Sequence, residues 1–393
     1  LFFPAPGAVL EVVRAEFAGD LERAWRGNVA RARRHLGWAG DAACAVRRHV
    51  SGVSLALAAP LDQLFTATEL NEWALCAALH DLEPLQWSGL RDALRAAAEQ
   101  SSPTPASPFP AEIDEPAALA RLSRVAAREQ RPDLLALVDE ARSRGCPVLF
   151  DDQSLTLGAG ATSCTFDLAK LPSVADVTWR DLRPVPTALV TGSNGKTTTV
   201  RLIAACAQAQ GWREGYTCTD GVFVAGTMLE SGDYSGPAGA RRVLRDERVE
   251  AAVLETARGG ILRRGLAVSR ADVAVVTNVS ADHFGEYGIH DLEALADVKL
   301  TVGAVVPEDG LLVLNADDAM LRARAAGLGG RFGHSPPLGW FAADADAPYL
   351  AAHRQNGGST CGVRSGRLVV AHRGEEHDLG EIGRMPLTVG GRA

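Results

Sequence analysis

Gly192-Ser193-Asn194-Gly195-Lys196-Thr197-Thr198 brings together what phosphate chemistry needs. Glycines let backbone N–H groups crowd around an anion, a lysine ammonium reaches the outer phosphates, and the threonine after it offers a hydroxyl to Mg²⁺. The usual phosphate-loop spacing puts a further glycine five residues before Gly195. Val190 stands there, so the loop is a shortened form. Thr187–Thr191 reads as a buried strand, and Val200, Ile203, Ala204 and Ala207 mark the apolar face of a helix stopped by Gly211. Strand, glycine-rich turn and helix aim the positive helix end at a phosphate. The bland alternative is an ordinary glycine-rich turn.

Other candidates sit near strand ends further along. Glu255 closes the apolar run 251–254 and is the kind of carboxylate that holds Mg²⁺ beside a phosphate loop, or else an exposed acidic cap. Arg258, in Arg258-Gly259-Gly260, holds an anionic substrate or phosphate oxygen, or is a turn arginine. Asn278 ends a second strand, 271–278, and joins the candidate nucleotide-binding set. The loop after it carries His283, within reach of the same phosphate, although His is an unusual Mg²⁺ ligand. Asn315 and Asp317 follow a third strand, 311–315, and are candidates for the adenine and ribose. Of 40 Lys plus Arg, only Lys170, Lys196 and Lys299 are lysines. Lysine, unlike arginine, can lose its proton and be carbamylated. Lys299, on the helix capped by Asp291, would then offer a carboxylate to a second metal ion; its plain reading is a surface lysine.

These residues need a scaffold. From Pro184 short apolar strands alternate with helices, which predicts an α/β fold with a doubly wound, mostly parallel sheet and ligands at the strand C-terminal ends. Residues 335–393 are glycine-rich, with hairpin-like turns at Gly357-Gly358, Ser365-Gly366 and Arg373-Gly374, and predict a small β excursion. Residues 1 to about 100 predict a largely helical region, with Trp25, Trp38, Trp73 and Trp87 packing between helices and isolated His35, His49 and His80 that are not ligands. Ser101–Pro110 holds four prolines and reads as a linker. Leu119–Arg144 predicts one amphipathic helix, followed by a strand at 147–150 and a turn at Asp151-Asp152. The expected domains are 1–110, a small α/β segment over 111–183, and an ATP-binding domain over 184–393.

Composition narrows the function. At 393 residues with 47% hydrophobic and 22% charged content, the chain is of ordinary globular type. A net charge of −8 argues against nucleic acid as main partner. No apolar run approaches the roughly 20 residues that span a bilayer, and the seven scattered cysteines read as reduced, cytoplasmic thiols.

Thr191–Thr199, Thr219–Gly221, Leu254–Arg263, Thr277–His283, Val298-Lys299 and Leu314–Asp318 resemble the Mur ligase family, and within it the Mur-ligase-like half of cyanophycin synthetase. The resemblance covers about 184–393 and implies an ATP-dependent amide ligase: a carboxylate acceptor becomes an acyl phosphate, and an amino acid or amine displaces phosphate. It implies that Thr197 and Glu255 hold one Mg²⁺, that His283 and carbamylated Lys299 hold a second, and that Asn315 contacts adenine. Two features depart from the family pattern. The roughly 180 upstream residues are too short for an ATP-grasp domain, and the C-terminal domain that closes over ATP is not in this sequence. A peptidoglycan-type or folylpolyglutamate-type ligase, and a nucleotide-binding subunit active only with a partner, remain open, as does homo-oligomerisation.

Overall fold

A computed structural model describes residues 5–12, 19–39, 43–49, 52–82, 113–281, 284–285 and 289–384. The chain divides into two compact units, 1–138 and 139–393.

The first unit contains β1 (Gly7–Val12), α1 (Gly19–Leu36), β2 (Cys44–His49), β3 (Gly52–Ala58), α2 (Leu64–Leu82) and α3 (Glu115–Glu129). The strands form an antiparallel sheet in the order β1-β3-β2. α1 and α2 carry the helical character expected of this region, and the three-stranded sheet corrects that expectation. Val53-Ser-Leu-Ala-Leu-Ala58 is a short apolar run of good helix formers, which periodicity cannot tell from buried helix; pairing on both sides decides for a strand. Trp25, Trp38 and Trp73 lie in this unit's core with Leu55, Leu57 and Leu70. Trp87 and the Ser101–Pro110 linker lie outside the described residues.

Asn71 on α2 fastens this core. Its Oδ1 accepts from Trp25 Nε1 at 3.0 Å, and its Nδ2 donates to the Leu55 carbonyl at 3.0 Å. Asn71→Ala strands a buried indole N–H and should lower stability by about 1–3 kcal/mol, read as an earlier unfolding transition in urea.

α4 (Pro132–Ser143) bridges the division between the units. The single helix expected over 119–144 is thus two helices, because Pro132 has no N–H to continue α3 and opens a new first turn instead.

The second unit begins with a small antiparallel sheet of β4 (Val148–Phe150), β5 (Ser154–Leu157) and β6 (Cys164–Asp167). Asp151 makes the expected turn by accepting from the Gln153 and Ser154 N–H groups. The main sheet adds β7 (Thr187–Thr191), β8 (Glu214–Cys218), β9 (Gly221–Val224), β10 (Thr227–Ser231), β11 (Ala251–Glu255), β12 (Val273–Val276), β13 (Leu311–Asn315), β14 (Leu338–Asp344), β15 (Ser359–Arg364), β16 (Arg367–His372) and β17 (Glu375–Glu381). Its order is β10-β9-β8-β11-β7-β12-β13-β14-β15-β16-β17. From β8 across to β15 neighbouring strands are parallel, with antiparallel ribbons at both edges. The helices are α5 (Lys196–Ala209), α6 (Pro237–Leu244), α7 (Arg258–Arg264), α8 (Leu292–Leu300), α9 (Ala319–Ala325), α10 (Leu328–Phe332) and α11 (Pro348–Gln355).

Helices cover both faces, so the sheet is doubly wound. Ala188 and Val190 of β7 pack with Val200 and Ala204 of α5, whereas Leu189 between them joins the core on the opposite face. Both pleat faces are apolar, which is why β7 reads as a continuous run rather than an alternation.

The β excursion expected over 335–393 is corrected. β14 and β15, with α11 between them, extend the parallel sheet, and Gly357-Gly358 ends α11 rather than turning a hairpin. Ser365-Gly366 and Arg373-Gly374 do turn hairpins. Both residues of each pair have positive φ, the type I′ geometry that matches strand twist.

Candidate active site

The parallel strands end along one edge, and β7 delivers the phosphate loop there. Gly195 (φ +81°) caps α5 without a side-chain hydrogen bond, so the first N–H groups of this 14-residue helix await an acceptor. Lys196 Nζ donates to the Ser193 carbonyl at 3.2 Å. Thr198, the next candidate along, is exposed on the first turn.

The segment after β12 holds the loop in shape. Asn278 Oδ1 accepts from Asn194 N–H at 3.0 Å, its Nδ2 donates to the Asn194 carbonyl at 3.1 Å, and the Thr277 hydroxyl donates to that carbonyl at 2.6 Å. Ser193 N–H donates to the Asn278 carbonyl, while Ser193 Oγ donates to the Ser280 carbonyl and accepts from Ser280 N–H. Asn278 therefore grips the loop rather than facing open solvent. Gly192 has φ +148°, and a Cβ there would collide with the Thr277 hydroxyl. Gly192→Ala should weaken ATP binding about tenfold or more by displacing this clamp, measured by titration with a fluorescent ATP analogue.

Glu255, at the end of β11, is 1% exposed. Its Oε2 accepts from the Thr197 hydroxyl at 2.8 Å, and Thr219 Oγ1 lies 3.2 Å from Thr197 Oγ1. Its Oε1 is buried without a hydrogen-bond partner. Burial pushes the Glu255 carboxyl above the ordinary carboxylate value; the Thr197 hydrogen bond and the Lys196 charge pull it down, and Asp233 pushes it up. An orphaned carboxylate oxygen beside two threonine hydroxyls fits a hard divalent cation such as Mg²⁺. Among the described residues no group of three or more His, Cys, Asp or Glu could hold a metal, so such a site would draw on hydroxyls and substrate oxygens.

A cleft of about 550 Å³ opens from Gly192, Lys196 and Glu255 toward α6, α7 and α8. Arg258, Arg263 and Arg264 line it from α7, and Lys299, 3% exposed, lines it from α8. Asp291 caps α8 by accepting from Ala294 N–H at 2.6 Å. The cleft is thus cationic, with Asp233 and Glu255 as the carboxylates among its described lining. His283 lies outside the described residues.

Asn315 and Asp317 lie apart from the cleft lining. Asn315 Nδ2 donates to the Thr277 carbonyl at 3.0 Å and its Oδ1 accepts from Asp317 N–H at 2.9 Å; Asp317 Oδ2 accepts from Ala343 N–H at 2.7 Å. These bonds tie the ends of β12, β13 and β14 together. Asp233 and Arg264 escaped the sequence reading, and Thr277 and Ser280 stood in a resembling stretch without a site role. Thr219 opens the resembling stretch Thr219–Gly221 and directly follows β8 on the same edge of the sheet.

This chemistry has a family counterpart. Residues 190–335 match the Mur ligase middle domain. Every candidate site residue lies inside that stretch. The cyanophycin synthetase of Trichormus variabilis is 42% identical over 209 residues, 53% of this chain and 22% of the relative. A UDP-N-acetylmuramoylalanine–D-glutamate ligase of Chlorobium luteolum is 34% identical over 135 residues, 34% of this chain and 26% of the relative. The chain thus spans about a quarter or less of the length of these curated relatives. A solved structure of UDP-N-acetylmuramoyl-L-alanyl-D-glutamate–2,6-diaminopimelate ligase is similar over 50% of this chain and 39% of its own, at 20% identity and a TM-score of 0.39. The stretch that matches this middle domain carries the phosphate loop, the orphaned carboxylate and the cationic cleft on one sheet edge. Among the described residues, no helix is long and apolar enough to cross a membrane.

Proposed function

We propose that the chain is an ATP-dependent amide ligase that activates an acceptor carboxylate as an acyl phosphate for attack by an amine. The observation that carries this is the pairing of Thr197 with the buried, half-satisfied Glu255, 2.8 Å apart, at the mouth of a cationic cleft. The first N–H groups of α5 and Lys196 receive the β- and γ-phosphates. Thr197 and Glu255 hold Mg²⁺, which when bound neutralises phosphate charge as a Lewis acid. Arg258 and the α7 arginines draw in the acceptor carboxylate and hold it against the γ-phosphorus. A carboxylate oxygen forms the new bond to phosphorus and ADP leaves. The amine nitrogen then adds to the acyl carbon, phosphate departs, and the nitrogen loses its proton.

In this reading Lys299, buried at the cleft wall, is carbamylated and serves a second cation together with His283. Asn278, Asn315 and Asp317 frame the nucleotide end, with Asn315 toward adenine. The acceptor is peptide-like, the donor an amino acid or amine, and the compartment cytoplasmic.

The test is phosphate release from ATP and Mg²⁺ with a panel of short aspartyl and glutamyl peptides as acceptors and amino acids as donors. Release that requires both substrates is expected. ATP binding with no acceptor-dependent release would contradict a ligase and favour a nucleotide-binding subunit that works with a partner.

A further inference from the structure

The two organic substrates of a ligation carry opposite charges, and the cleft lining is uneven in the same way. Lysines and arginines dominate it and suit phosphate and acceptor carboxylate. An amine arrives as an ammonium, which that lining repels. Of the two carboxylates present, Glu255 is deeply buried and already engaged with Thr197. Asp233 is exposed, on the loop between β10 and α6.

That loop is fixed rather than trailing. Asp233 Oδ1 accepts from the Ser235 N–H at 3.0 Å and the Ser235 hydroxyl at 2.6 Å. Tyr234 N–H donates to the Cys218 carbonyl at the end of β8, and the Ser235 carbonyl accepts from Ala257 N–H at 2.8 Å, just past Glu255. Gly260 makes the close approach possible: a Cβ on it would sit 3.2 Å from Pro237 Cδ and 3.3 Å from the Gly236 Cα. The Asp233 carboxylate is therefore held beside the strand end that carries Glu255, near enough to bear on its proton affinity. One oxygen is spent on orientation and the other remains for a ligand.

Resting on the ligase reading, we propose that Asp233 is the residue that receives the ammonium of the incoming amine and sets it beside the acyl phosphate, where the ammonium gives up one proton to solvent before its nitrogen adds to the acyl carbon. An ionised oxygen facing an ammonium is a charge-assisted hydrogen bond, of the kind that fixes orientation as well as affinity.

Hydroxylamine, largely neutral near pH 7, separates this role from a structural one. Asp233→Asn is compared with wild type for ATP-dependent hydroxamate formation and for ligation to a set of L-amino acids, with an aspartyl peptide as acceptor. The amino-acid KM should rise about ten- to a hundredfold, the scale of a hydrogen bond to a charged group, and by far more than the KM for hydroxylamine. Asp233→Glu, which keeps the charge, should recover part of the loss. Equal losses with hydroxylamine and amino acids, or a raised Mg²⁺ requirement, would overturn the assignment in favour of a structural or metal role. Absence of both hydroxamate and amide in the wild-type protein would instead overturn the ligase reading on which it rests.

Discussion

Lys196→Ala should abolish acceptor-dependent phosphate release, lowering kcat about a hundred- to a thousandfold, while the folded chain keeps its melting temperature. Lys196 is the first residue of α5 and makes a 3.2 Å hydrogen bond to the Ser193 carbonyl of its own loop. The loop is held mainly by others: Asn278 and Thr277 grip Asn194, and Ser193 and Ser280 bond reciprocally. Removing the ammonium therefore leaves the cradle standing and takes away the charge aimed at the outer phosphates. The predicted signature is a collapse of turnover larger than any loss of ATP affinity, because charge on the transferring phosphoryl group develops beyond the ground state. Thermal unfolding and nucleotide titration of the variant check that split. A large fall in melting temperature would mean that Lys196 holds the loop instead.

Glu255→Gln should have the second large effect, and its sign differs between the free and liganded chain. Burial raises the Glu255 carboxyl in the folded chain above its unfolded value, and the hydrogen bond from Thr197 offsets this only in part. A raised folded value means that the native chain holds the proton more tightly than the unfolded chain. The contribution to stability is then fully present below the unfolded value, and is lost as pH rises through the folded value. Once ionised, the carboxylate is thus a burden on the free chain, relieved when a cation binds its orphaned Oε1. The glutamine variant should melt at the same or a higher temperature than wild type at neutral pH without nucleotide, with the gap closing in acid. Its Mg²⁺ requirement for ATP binding should rise on the order of a hundredfold. Melting curves across pH, with and without Mg²⁺ and ATP, measure both. A variant that is less stable at neutral pH without ligand would contradict the sign.

The reach of the sequence has physical causes. The Thr197–Glu255 pair was legible because parallel sheets put ligand groups at strand C-terminal ends, and both residues stand beside such ends in unmistakable apolar runs. Arg258 came with Glu255 through the same stretch. Asp233 was not legible, because nothing in its spacing from the phosphate loop fixes where the β10–α6 loop folds. That follows from long-range bonds to Cys218 and Ala257. The roles of Asn278 and Asn315 as braces between strand ends were equally hidden, since an amide that bonds backbone looks the same in sequence as one that bonds a ligand. β3 was masked by its Ala-Leu content, and β14 and β15 by the glycines around them. In each, tertiary pairing outweighed local preference.

In the proposed reaction a carboxylate is activated by phosphoryl transfer on this sheet edge. The most direct measurement uses an acceptor peptide whose carboxylate oxygens carry the heavy isotope, with ATP, Mg²⁺ and an amino-acid donor, and follows the label by mass spectrometry. An acyl phosphate requires that each turnover move a labelled oxygen from the acceptor into inorganic phosphate. Phosphate released without label, alongside amide formation or without it, would contradict the account.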